Sequence, residues 1–146
     1  MKDLKRIHWI ALFSVISTTL IFVVVRLGFK IHVQTTPYIS YFTDIVAIIA
    51  SIGSIFGGNA VMKELLSEIK YKNDTEEKFK LYKSALTKKF LLIGLGGELC
   101  AIAYFVGGKS TSLILLGMLL IFLLVSKPAT FRIAEDLGIT EEQLPE

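Results

Sequence analysis

Residues 90–108 read FLLIGLGGELCAIAYFVGG, an apolar run broken by one carboxylate, Glu98. A helix crosses the bilayer core in ~20 apolar residues. An acid at that depth costs about 2.5–3.5 kcal/mol on insertion scales. The stretch therefore reads as a membrane-spanning helix that keeps an acid against a penalty.

Three more apolar segments accompany it along the chain. The four spans are read as 7–27, 40–62, 90–107 and 111–126. The first is uncharged from Ile7 to Val25. The second has Asp44 near one end, and the fourth is rich in Leu and Ile. The last two are short, but lysines at their ends can snorkel to the interface. The basic start, Met1 to Arg6, resembles a signal peptide, yet the apolar run after it is too long and lacks a small-x-small site, so it is expected to be an uncleaved first helix.

Composition agrees. Of 146 residues 53% are hydrophobic and 20% charged, and the charges collect in a few places rather than spreading through amphipathic elements. The net charge of +3 is a topology and lipid-contact signal in this setting. With no aromatic-interleaved basic groove, nucleic acid is not an expected partner. Cys100 is the single cysteine and reads as a small packing residue.

Lys and Arg set the orientation. Lys2, Lys5 and Arg6, then Lys63, Lys70, Lys72, Lys78, Lys80, Lys83, Lys88 and Lys89, then Lys127 and Arg132 fall on one side of a four-span chain, leaving Arg26, Lys30 and Lys109 on the other. Both termini and the long connection are expected to be cytoplasmic, in a cell inner or plasma membrane. Trp9 marks the inner end of the first span, Tyr38, Tyr41 and Phe42 the outer end of the second, and Tyr104 and Phe105 that of the third, as interfacial belts do.

The connection 63–89 is predicted to be a helical hairpin. Leu65, Leu66 and Ile69 extend the second span's helix, Asn73-Asp74-Thr75 breaks it, and Phe79, Tyr82 and Leu86 lead into the third. In the tail 127–146, Pro128 suits the first turn of a short helix that Gly138 closes, with Ile133 and Leu137 on one face, and Thr140 can open a further turn. The expected fold is all-α: an antiparallel four-helix membrane bundle forming one domain, with cytoplasmic helical extensions.

Polar and small residues suggest where the helices meet. Gly94, Gly97, Glu98, Ala101 and Phe105 share one helical stripe. On the second span Ala47, Ala50, Ser51, Ser54, Gly57 and Gly58 form a broad small-residue side, and Gly53 with Gly57 makes a GxxxG pair. The first span adds Ala11, Ser14, Ser17 and Thr18. At ~1.5 Å per residue, Glu98, Ser51, Ser54, Ser17 and Thr18 come to one depth. The expectation is a core where the second and third spans pack, with Glu98 inside as a neutral, hydrogen-bonded acid, because no basic residue reaches that layer. Its candidate roles are register-setting packing, a proton or cation site, or contact to a partner's polar group. Arg26 and Asp44 are expected to form an outer-interface pair, Asn59 an interhelical hydrogen bond, and His8 and His32 to be interfacial at opposite faces, too far apart for one metal site.

The chain carries no Walker loop, GxSxG elbow, HExxH pair, CxxC motif or dinucleotide fingerprint. Enzyme activity is therefore not the expectation, nor is a cofactor or a metal. A bundle this small encloses little room for a substrate path. The leading functional expectation is a homo-oligomeric or accessory subunit of a larger membrane assembly, in contact with the bilayer and with anionic headgroups at the cytoplasmic lysines. The alternative is a proton- or cation-coupled channel or transporter with Glu98 as its site.

Overall fold

A computed structural model describes residues 2–29, 36–69, 71, 72 and 74–144. Lys30, His32, Lys70 and Asn73 lie outside the described residues. Five helices follow in order: α1 (Lys2–Gly28), α2 (Pro37–Ile69), α3 (Thr75–Gly107), α4 (Ser110–Val125) and α5 (Thr130–Leu137), with a 3-10 turn at Glu141–Gln143. α1, α2 and α3 are each long and apolar enough to cross a membrane, and α4 with α5 meets the same test as a pair bent by 78°.

Helix ends follow local chemistry. Pro37 opens α2, where its missing N–H is no loss. Asp74 caps α3 by accepting the Glu76 N–H at 3.1 Å, and Glu76 and Glu77 place negative charge at that positive end. Gly108 ends α3 at φ 69°, returning its N–H to the Tyr104 carbonyl at 2.8 Å. Gly138 closes α5 in the same left-handed conformation. Pro128 stands before the α5 N-cap, Ala129, rather than in the first turn, so its part is to break the chain between α4 and α5.

α3 is the central helix, and α1, α2 and α4 all pack on it. α2 runs antiparallel to α3, with Gly58 against Lys89, Ser54 against Gly96, Ala47 against Cys100 and Thr43 against Gly107. A Cβ at Gly96 would overlap the Ser54 hydroxyl and come within 2.9 Å of the Ala50 carbonyl, so only glycine admits this approach. The Gly53–Gly57 pair does not make the contact. Gly53 is exposed with nothing within 4 Å of a Cβ there, and Gly57 reaches only Leu92 at 3.9 Å. Neighbouring residues on a helix differ by ~100° in direction, and the buried side of α2 is that of Ala47, Ser51, Ser54 and Gly58.

α1 lies parallel to α3 on another side: Ala11 faces Gly94, Val15 faces Gly97, and the Phe22 ring stacks on Phe105 at 5.0 Å. The ends are tied by polar contacts. At one end Lys83 pairs with Asp3 at 2.6 Å, His8 bonds the Leu123 carbonyl at 2.8 Å, and Tyr82 donates to Asp136 at 2.7 Å. The helix junctions carrying most of the lysines thus share one end. Core residues concentrate there too, with Leu4, Ile69, Phe90, Leu123 and Ile133 fully buried. Elsewhere the helices turn large apolar side chains outward: Ile10, Phe13, Leu20 and Ile21 on α1, Ile49, Ile52 and Phe56 on α2, and Ile114, Met118 and Ile121 on α4. Long apolar helices with an apolar exterior are compatible with a membrane protein.

Candidate functional site

Glu98 lies in a groove between α1 and α3. Gly97 brings the helices together, since a Cβ there would sit 2.8 Å from Val15, and Gly94 leaves room beside Ala11. Next to this contact Glu98 projects along the seam, and its Oε1 accepts a hydrogen bond from the Ser14 hydroxyl at 2.9 Å. The groove has a volume of about 240 Å³ and is lined by Ile10, Ala11, Phe90, Leu91 and Leu95 besides Ser14, Glu98 and Thr87, whose hydroxyl bonds the Lys83 carbonyl, with no Lys or Arg. Ile10, Leu91 and Leu95 are more than half exposed, so it opens on the outer face of the helices. Glu98 itself is half-buried.

This corrects the expected core with Glu98 inside the α2–α3 seam. The stripe of Gly94, Gly97, Glu98, Ala101 and Phe105 does face a helix, but that helix is α1. Gly96, two residues from Glu98, turns ~200° away and meets α2. The single polar layer therefore divides. Ser51 bonds the Ile48 carbonyl and Ser54 the Ser51 carbonyl, each at 3.0 Å, so both hydroxyls are satisfied within α2. Ser17 is exposed and Thr18 half-buried on α1, and Ser14 meets the acid instead.

Arg26 and Asp44 do not pair. The Arg26 guanidinium donates to the Tyr104 carbonyl at 3.2 Å and to that of Phe105, and packs over the Tyr104 ring. It supplies a donor to the Phe105 carbonyl, adds a second to the Tyr104 carbonyl that Gly108 already bonds, and complements the negative end of the α3 dipole. Asp44 takes Lys109 at 2.6 Å, and that ammonium lies 4.4 Å from the Tyr41 ring centre. Register explains the exchange: Arg26 reaches α3 alongside its parallel neighbour, while Asp44 faces the α3–α4 turn. Asn59 is exposed on α2 rather than bonded between helices. Among the described residues, no three His, Cys, Asp or Glu side chains converge as a metal site requires.

No family model, curated protein or solved structure matches the chain. The site must be read from its own chemistry. It is an apolar groove, open sideways, holding one acid whose hydrogen-bond partner among the described residues is a serine.

Sequence reasoning passed over several residues. His8, read as interfacial, is 1% exposed: Nε2 bonds Leu123, the ring meets Phe90 edge-on at 5.0 Å, and Nδ1 has no partner among the described residues. The signal was present, because Leu4, His8, Leu12 and Val15 recur at helical spacing and all are buried. The Tyr82–Asp136 bond and the grouping of Lys89 with Arg132 join segments more than forty residues apart, and no local pattern announces them.

Proposed function

We propose that this is a small integral membrane protein whose four apolar segments cross the bilayer as a four-helix bundle with both termini cytoplasmic, and that it serves as a subunit of a larger membrane assembly. The observation that carries the reading is the position of Glu98: in a groove opening sideways, bonded to Ser14, with no cation beside it among the described residues. An acid facing hydrocarbon gains from a further hydrogen-bond donor, and the exposed Ile10, Leu91 and Leu95 give a partner helix an apolar rim to pack on. The occupant is a transmembrane helix of another subunit carrying a hydroxyl or amide at that depth. A second copy of this chain is the simplest such subunit.

Glu98→Ala and Glu98→Gln test the reading. The assembly, followed by in-membrane crosslinking from Leu95→Cys and by native mass, should be lost in Glu98→Ala and largely kept in Glu98→Gln. Intact assembly in both variants, together with lost proton or cation flux in proteoliposomes, would sink it and favour the transport alternative.

A further inference from the structure

The corner where α3, α4 and α5 meet gathers positive charge around a small cavity. Lys89 of α3, Lys127 of the connector and Arg132 of α5 all line a space of about 90 Å³, floored by Leu86 and Ile133. Among the described residues none of these three cations has a carboxylate within 4 Å. The cavity's single acid, Asp136, is engaged by the Tyr82 hydroxyl at 2.7 Å. Lys89 is half-buried while Lys127 and Arg132 reach the surface, so three cations face one carboxylate at this corner.

Lys89 is held there by packing. Its stem lies on Gly58, where a Cβ would stand 3.1 Å from Cγ, and its ammonium sits 5.5 Å from the Phe122 ring centre. It precedes the apolar run, and burial and then the Arg132 charge push its pKa below the ordinary lysine value. An anion beside it would offset the Arg132 charge and favour the charged lysine. The α5 N-cap is Ala129, which offers no side-chain oxygen, so the first-turn N–H groups remain available to an outside acceptor. Phe131 and Val125 stand exposed next to this corner, at 57% and 70%, on a second groove that shares Lys127 and Arg132 and adds Lys5.

We propose that the α3–α4–α5 corner binds the phosphate of an anionic phospholipid headgroup between Lys89, Lys127 and Arg132, with the acyl chains lying against Val125 and Phe131. Cations supply the recognition, and the adjacent apolar rim separates a lipid from a free phosphate. The inference uses the membrane reading but not the partner helix at Glu98.

The test is native mass spectrometry and nanodisc titration of the full chain with dioleoyl phosphatidic acid against dioleoyl phosphatidylcholine. The first should be retained preferentially, and Arg132→Gln and Lys89→Gln should each weaken it about fivefold. Lys78→Gln and Lys80→Gln, on the helical extension and lining neither groove, should leave it unchanged. Equal retention of the two lipids, or an equal loss in all four variants, overturns the site. Displacement of the lipid by millimolar glycerol 3-phosphate would reassign it to a soluble phosphate and overturn the lipid assignment. Release of the chain by carbonate washing would instead defeat the membrane reading, which separates the two failures.

Discussion

Ser14 and Glu98 bond across two helices that run parallel, 84 residues apart in sequence and 2.9 Å apart in space. α1 has few other polar ties to α3 in its middle, where Val15 on Gly97 supplies the close contact. Ser14→Ala should therefore weaken α1 docking by about 0.6–1.7 kcal/mol, the range for interhelical hydrogen bonds in membranes. Stepwise unfolding in mixed micelles measures it, and a double-mutant cycle with Glu98→Gln should return a coupling of the same sign. A coupling of zero would mean the pair does not hold α1.

Two glycines on neighbouring helices should behave oppositely. Gly96→Ala places a methyl on the Ser54 hydroxyl and the Ala50 carbonyl, so α2 must move; overpacking of this kind costs about 1–3 kcal/mol. Gly53→Ala meets nothing within 4 Å and removes a weak helix former, so it should be neutral or stabilising by up to about 1 kcal/mol. Melting temperatures in one detergent compare them. If Gly53→Ala proved the more damaging, the α2–α3 register described above would be wrong.

The buried His8 ring binds a carbonyl in the last turn of α4, which has no partner in its own helix. His8→Phe fits the apolar surroundings of Phe90 but strands the Leu123 carbonyl. Its expected cost is about 1–3 kcal/mol, the penalty of an unsatisfied buried group. Hydrogen exchange should show the loss first as faster opening at the C-terminal turn of α4. His8→Gln, which can still donate, should recover part of the stability.

Tyr82 gives an alkaline signature. Burial, and then its hydrogen bond to Asp136, holds the phenol protonated above the usual tyrosine range. Below pH about 10 the phenol is neutral in both folded and unfolded chains, and its contribution is complete. As pH rises through that value the unfolded chain ionises first, and the contribution declines toward the folded pKa. Stability should fall between pH 9 and about 11 more steeply in the native sequence than in Tyr82→Phe. Parallel curves would show that neither the burial of the phenol nor its bond to Asp136 is maintained.

Much of the architecture was legible along the chain. Uncharged runs announce apolar helices because a span must be apolar along its own length, and Asp74 and Gly138 mark ends because capping is a property of a few adjacent residues. The face of α3 that carries Glu98 was readable as well. Its partner was not. Gly96 and Gly97 both invite a close neighbour, and a periodic stripe does not say which helix accepts the invitation.

The amino-acid sequence alone determined that this chain is helical, where its helices lie, and that Glu98 sits among small residues, since hydropathy, capping and 3.6-residue periodicity act within one helix. Tertiary structure decided that α1 takes the Glu98 stripe while α2 takes Gly96, that Arg26 serves α3 and Lys109 serves Asp44, and that Lys89, Lys127 and Arg132 share a corner. Those choices depend on how whole helices pack around α3, and no local pattern encodes it.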